Sequence, residues 1–322
     1  MKKSAEKVLI SVIGASLTAL SAPFSAYASA ASESPQDDQL SVSLRIEGIE
    51  SCIFNDTLSV SADGGKISLA DFISLADEMN DSFIVSGIDS GYITAVNDDT
   101  EKSFGGWDGW LYTVNGIEPT VGINDLMLAD GDSVILFYSD KYGVGMQFPR
   151  FSLDSGYCTF ESVDTVYDDN WNPTDVVNPV ADMTVMWDGV KYTTDENGRI
   201  PLPVSAMTKG VHECSYEKYA ESGLPLVLRS EPGFTVSIDF MLGDTNLDNA
   251  VDASDASVIL REYALSATGE DNSVSPLQLA ISDTNGDNAV DSLDASNVLA
   301  YYSYAATGAF TSSFEDFMAD KN

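Results

Sequence analysis

The chain has 322 residues, and its 51 Asp and Glu against 15 Lys and Arg give a formal net charge of −36 at pH 7. Such a surface repels nucleic acid and anionic lipid and favours solubility, so no nucleic-acid partner is expected. A single histidine, His212, excludes triads that need a second one, and the three cysteines fit no zinc or thiol-redox spacing.

Residues 1–30 read as a secretory signal peptide. Lys2, Lys3 and Lys7 precede an apolar run from Val8 to Leu20, and Ala28 and Ala30 close two small-residue cleavage motifs. The run is short and broken by Ser, Gly and Thr, which leaves an uncleaved anchor as the minor alternative. No later stretch is long enough to span a bilayer. The expected localisation is therefore secreted, in an extracellular or cell-surface complex, with two or three domains in the mature chain.

A polar linker over 31–40 leads into a first domain expected over 41–140. Val42–Ile46 alternates as a strand. Ser68 is placed as a helix N-cap with Asp71 three residues on, and Leu69, Phe72, Ile73, Ala76 and Met79 share a helical face. Trp107–Gly116 predicts a strand ending in an Asn-Gly turn, and Leu128–Tyr138 a turn entering an apolar strand. Strand, helix and later strands, with the elements Gly109-Trp110-x-Tyr112-x-Val114-Asn115-Gly116 and Asp130-Gly131-Asp132-x-Val134, resemble the transcobalamin-like C-terminal domain family. The resemblance implies a small α+β, β-grasp-like domain; it fixes no ligand residue. From the residues themselves, Trp107, Trp110 and Tyr112 are candidates for an aromatic platform that takes a sugar ring or another flat ligand. Trp110 and Tyr112 share one strand face and are read first as core, whereas Trp107, beside Gly105, Gly106 and Gly109, is the better candidate for exposure.

Residues 146–240 read as short strands between Asp, Asn, Gly and Pro turns. Thr184–Trp187, Asp188-Gly189 and Val190–Thr193 spell a hairpin with a type I′ turn. The following Thr194-Asp195-Glu196-Asn197-Gly198 resembles the prealbumin-like or Ig-like β-sandwiches of bacterial surface proteins, which implies a spacer or binding role. Cys158 and Cys214 fall here, and a bridge between them, leaving Cys52 over, is the lesser alternative to free thiols. His212 lies in an expected strand with a structural or surface role.

Near the C-terminus two segments repeat at an offset of 39 residues, Asp244–Asp255 with its following helix and Asp283–Asp294 with its own. Each carries oxygen-bearing side chains at loop positions 1, 3, 5, 9 and 12, the alternation with which a twelve-residue loop supplies a calcium ion, position 7 adding a backbone carbonyl. The ligands are Asp244, Asn246, Asp248, Ala250 (carbonyl), Asp252 and Asp255 in the first loop. In the second they are Asp283, Asn285, Asp287, Ala289 (carbonyl), Asp291 and Asp294, so two ions are expected. Position 6, usually Gly, is Asn249 and Asn288, a residue type that tolerates the left-handed region. Position 12 is Asp rather than the longer Glu.

A helical pattern follows each loop. Ile259, Leu260 and Tyr263 match Val298, Leu299 and Tyr302, and each pattern stops at a Thr-Gly. The segment before the first loop, Phe234–Phe240, alternates as a strand, so each copy is half an EF-hand. Duplicated half EF-hands with Asp at position 12 resemble the dockerin family over Leu242–Gly308, which implies a small all-α module, placed here at 241–312 with a tail at 313–322. The resemblance further implies calcium-dependent binding to a cohesin module of a scaffoldin in a cellulosome-like complex. It carries cohesin contacts onto Ala253, Ser254, Leu260, Arg261 and Leu265 in the first copy. In the second copy they fall on Ser292, Leu293, Leu299, Ala300 and Tyr304. These pairs differ between copies, so one binding orientation is expected; core packing is the competing role for Leu260 and Leu299.

The chain thus reads as a multidomain, secreted, non-catalytic component of a cohesin–dockerin complex linked to polysaccharide breakdown. A carbohydrate- or cofactor-binding accessory protein, with polysaccharide or a small molecule bound by the 41–140 domain, is the alternative. A small polysaccharide hydrolase is the least favoured, since neither domain resembles one and the chain has no phosphate loop or nucleophile elbow.

Overall fold

A computed structural model describes residues 11–14, 39–143, 145–154, 157–168, 172–308 and 312–321. The expected leader lies outside the described residues except for Ser11–Gly14, which pair antiparallel with Phe234–Ser237. The expected linker likewise lies outside them, apart from Gln39 and Leu40. The chain is mostly β-sheet with few helices until its helical C-terminal region, and it divides into two compact units. One comprises Ala15–Phe148 and Tyr216–Pro232; the other comprises Met1–Gly14, Pro149–Ser215 and Gly233–Asn322.

In the first of these, strands β1 (Gln39–Glu47), β2 (Cys52–Ser61), β3 (Asp108–Val114) and β4 (Ser133–Asp140) form one sheet in the order β2-β1-β4-β3. The β1–β4 pair is parallel and the outer two pairs are antiparallel. Leu40, Val42, Leu44 and Ile46 alternate into the core, as a half-covered strand requires. Helix α1 (Leu69–Met79) starts at Ser68, whose hydroxyl accepts from the Asp71 amide at 3.0 Å. The helix buries Leu69, Phe72, Ile73 and Ala76, but Met79, expected on the same face, is exposed in its last position. Asn115 and Gly116 both have positive φ, which makes the turn after β3 the expected tight one.

The boundary expected at 146–240 is not kept. Tyr216–Pro232 belongs with the first unit, and a buried ion triad shows why. Glu47 is fully buried and accepts from Arg45 Nη2 at 2.8 Å and from Arg229 Nε at 2.5 Å. Arg229 also donates to the carbonyls of Gly48 and Ile49 and to the Tyr219 hydroxyl, so most of its remaining guanidinium protons are satisfied. Low dielectric makes such a triad unforgiving, because deleting one member strands a buried charge.

In the other unit, β5 (Arg150–Asp154), β6 (Tyr157–Tyr167) and β7 (Pro173–Pro179) form one antiparallel sheet. Strands β8 (Thr184–Trp187), β9 (Val190–Thr193), β10 (Gly210–Glu217) and β11 (Phe234–Ile238) belong to a second sheet, ordered β11-β10-β8-β9. Asp188 and Gly189 both have positive φ, as a type I′ turn demands. His212 is buried, stacked on Trp187, with its ring nitrogens 2.7 Å from Asp188 Oδ2 and from the Thr208 carbonyl. Cys52, Cys158 and Cys214 are free thiols, and burial, with Asp188 adding to it, pushes the Cys214 thiol up to about 12.

The C-terminal helices are α2 (Ala253–Thr268), α3 (Pro276–Ser282), α4 (Ser292–Ala305) and α5 (Phe314–Ala319). Helix α2 stops at Gly269, in the left-handed region, whereas α4 ends at Ala305, before its Thr-Gly. The expected tail at 313–322 is instead mostly helix α5. Its Phe314 and Met318 complete a core with Ala256, Ile259, Ala295 and Val298, and a Cβ on Gly243 would stand 2.9 Å from the Phe314 ring. No helix among the described residues is long and apolar enough to cross a membrane.

Two substitutions test these contacts. Arg229→Ala should destabilise the first unit by about 3–5 kcal/mol, read as a lower denaturant midpoint, because Glu47 loses a partner while buried. Phe314→Ala should cost the C-terminal helices about 3–5 kcal/mol, against a near-neutral effect if 313–322 were a tail.

Candidate calcium sites

Each repeated loop is a backbone wrapped around carboxylates. In the first, both oxygens of Asp244 accept main-chain N–H groups, from Asp248 and from Asn249, each at 3.0 Å. Asp283 does the same for Asp287 at 3.1 Å and Asn288 at 2.9 Å. The position-3 amides, Asn246 and Asn285, accept from the amides of Asp248 and Asp287. Those bonds force the turn at position 6, where Asn249 and Asn288 take φ of 68° and 66°.

Position 4 is also left-handed, a feature missed in the sequence. Gly286 occupies it in the second loop with φ 72°, but the first loop places Leu247 there with φ 60°. An L-residue with a Cβ pays about 1–2 kcal/mol for that conformation.

Positions 9 and 12 tie each loop to its helix. Asp252 and Asp291 are N-caps, each completing a reciprocal capping box with Asp255 and Asp294. Asp255 bridges the loop, accepting from Asn246 N at 3.0 Å and from Asp252 N at 2.9 Å. Asp294 likewise accepts from Asp291 N at 2.9 Å, but at the head of its loop it takes Thr284 N, one position earlier than in the first copy, also at 2.9 Å. Both position-12 side chains are fully buried, and Asp244 is nearly so.

The electrostatics follow from that burial. Desolvation lifts the carboxyl groups of Asp244, Asp255 and Asp294 above the ordinary Asp value of 3.8, the N–H bonds offsetting part of it. Neighbouring carboxylates push the same way: Asp248 on Asp244, Asp244 and Asp248 on Asp255, and Asp283 on Asp294. Four carboxylates per loop, one amide oxygen and a peptide carbonyl form an all-oxygen donor set for a hard divalent cation. Among the described residues no group of three or more His, Cys, Asp or Glu stands ready to hold a metal, so the loop side chains would close on the ion rather than offer a finished cage. The donor set fits calcium; Asp244, Asn246, Asp248, Ala250, Asp252 and Asp255 would hold one ion, and their counterparts from Asp283 to Asp294 the other.

The residues expected to meet a cohesin are accessible. Ala253, Ser254, Leu260, Arg261, Ser292, Leu293, Leu299 and Tyr304 are exposed, and Leu265 and Ala300 half-buried. Core packing does not hold for Leu260 and Leu299, which are 44% and 40% exposed; Ile259 and Val298, one residue earlier, are the core positions. The aromatic trio divides. Trp107 is 73% exposed, whereas Trp110 is core with its indole N–H on the Asp99 carbonyl, and Tyr112 is half-buried with its hydroxyl donating to the Val121 carbonyl.

Two outcomes follow for the loops. Raised carboxyl values mean that the ion-free fold binds protons more tightly than the unfolded chain. These groups therefore favour the ion-free fold below the ordinary Asp value of 3.8, and that contribution is lost as pH rises through their raised values. Bound calcium competes with the same protons, so the gap in melting temperature between calcium and chelator should narrow as pH falls from 7 towards 4; thermal scans at several pH values read this. Leu247→Gly should release strain and stabilise the calcium-loaded first loop by about 1 kcal/mol, seen as tighter binding of one ion in calorimetry.

Residues 242–301 match the Dockerin type I domain, and residues 74–140 match the Domain of unknown function (DUF4430). No curated protein matches the chain. The paired loops and helices therefore lie in a Dockerin type I domain, a kind of domain that binds calcium and cohesin modules.

Proposed function

We propose that the protein is a secreted, non-catalytic component of a cellulosome-like complex, attached to a scaffoldin by calcium-dependent docking of its C-terminal helices on a cohesin. The observation that carries this reading is the pair of acid-rich loops, each continuous through its capping box with a helix that leaves apolar side chains in solvent. Leu260, Leu293, Leu299 and Tyr304 are each at least 40% exposed, an arrangement suited to a partner surface. Leu260 and Leu299 match, but Leu293 answers Ser254 and Tyr304 answers Leu265 in the other copy, so the docking has one preferred orientation. Two ions fill the loops, and at about a thousand times its dissociation constant an ion adds about 4 kcal/mol to the folded state.

A second reading assigns the 41–140 domain, β-grasp-like in the manner of the transcobalamin-like C-terminal family, to a carbohydrate or small-molecule ligand. The exposure of Trp107 favours it. In this reading docking and ligand binding are carried by separate parts of the chain, and the protein links a scaffold to polysaccharide.

Titrating the protein with a panel of cohesins by calorimetry, in calcium and then in excess chelator, tests the attachment. Binding of at least one cohesin that disappears with chelator is expected. A folded, calcium-loaded protein that binds none of them would reduce the loops to structural ion sites.

A further inference from the structure

Strand β3 is the edge of its sheet, and beside it lies a cavity of about 270 Å³. Ligand pockets run from roughly 300 Å³ upward, so this one suits a small ring rather than a large cofactor. Trp110–Tyr112 line it along the strand, Gly91–Ile93 line it elsewhere, and the Glu118–Ile123 turn and Lys141 complete it. The turn is held at two points: Tyr112 Oη donates to the Val121 carbonyl at 2.6 Å, and Lys141 Nζ pairs with Glu118 Oε1 at 2.5 Å. Gly91, with φ 76°, leaves room that a Cβ would take, 2.8 Å from Asn124 Nδ2.

Next to Lys141 stands Tyr142, and its ring meets that of Trp107 edge to face at 6.1 Å. Both are among the most exposed large side chains of the chain, at 76% and 73%. Their backbones are nonetheless fixed. Asp140 accepts from the amides of Tyr142 and Gly143, both at 3.1 Å, and Asp108 accepts from the amides of Phe104 and Gly106, both at 2.9 Å. Tyr138 anchors Asp108 from below at 2.5 Å, and Asp108 and Asp140 are themselves partners across the β3–β4 ladder. Two exposed aromatic rings on pinned turns are costly to hold in water without a ligand, and they present little conformational entropy to lose on binding.

We propose that the cavity and the Trp107–Tyr142 pair together bind a neutral saccharide chain. Aromatic rings take the apolar C–H face of a pyranose, and the Glu118–Lys141 pair offers hydroxyl groups an acceptor and donors side by side. The pair is neutral as a unit, which leaves no net charge for an ionic ligand to meet, and the net charge of −36 repels acidic polysaccharides. The inference rests on the second reading above and does not depend on cohesin docking.

The test uses the calcium-loaded full chain with neutral hexasaccharides of the cello-, xylo-, manno- and malto- series, by calorimetry and tryptophan emission. Polygalacturonate and an unrelated extended peptide serve as comparators. At least one neutral series should bind and shift the emission, and Trp107→Ala and Glu118→Gln should each weaken it about tenfold or more. The lost side chains are solvent-exposed, so folding is checked by an unchanged circular dichroism spectrum. No neutral saccharide bound, binding that survives both substitutions, or binding confined to the polyanion or the peptide would each overturn the proposal. Cohesin titration of the same preparation keeps these outcomes apart from a failure of the attachment.

Discussion

The C-terminal helices depend on carboxylates crowded into two short loops, with Asp244, Asp255 and Asp294 buried among them. Asp255 and Asp294 each close a loop, complete the cap of the following helix and stand among the oxygens that would hold an ion, all from a fully buried position. A helix N-terminus tolerates such charge through its unpaired N–H groups and its dipole, but four carboxylates in twelve residues exceed what those can offset. A divalent cation would supply the counter-charge. With an ion bound, loop and helix would form one cooperative unit, and that unit would fix the exposed apolar side chains of α2 and α4.

The first unit solves a different problem with a buried charge network. Glu47 between Arg45 and Arg229 draws a segment more than 180 residues away onto the sheet. With β1 and β4 so fixed, the β3–β4 ends carry pinned turns that display Trp107 and Tyr142. The pinned turns of the first unit and the ion-dependent loops of the C-terminal helices are what the proposed saccharide binding and the proposed docking would each require.

Much of this was legible locally. Ser68 with Asp71 marks the start of α1, Asp188-Gly189 the hairpin, and the duplicated alternation of Asp and Asn the loops, because each signal is short-range and backed by a specific backbone requirement. What escaped reading depends on packing. Helix periodicity narrows the buried face to neighbours but does not choose between Ile259 and Leu260, or between Val298 and Leu299. Helix α5 is six residues long, too short for propensity to declare, although Phe314, Phe317 and Met318 share its inner side. The return of Tyr216–Pro232 to the first unit rests on long-range contacts, the buried Arg229–Glu47 pair and Leu224 in the core, with no local pattern. The strain at Leu247 became visible only beside Gly286, its counterpart in the second loop.

The coupling of ion to helix is the claim on which the rest stands, and amide hydrogen exchange of the whole chain in calcium and in excess chelator measures it directly. Protection should fall in α2, α4 and α5 on chelation while the amides of β1 and β4 stay unchanged. Helices that keep their full protection without calcium would contradict the account.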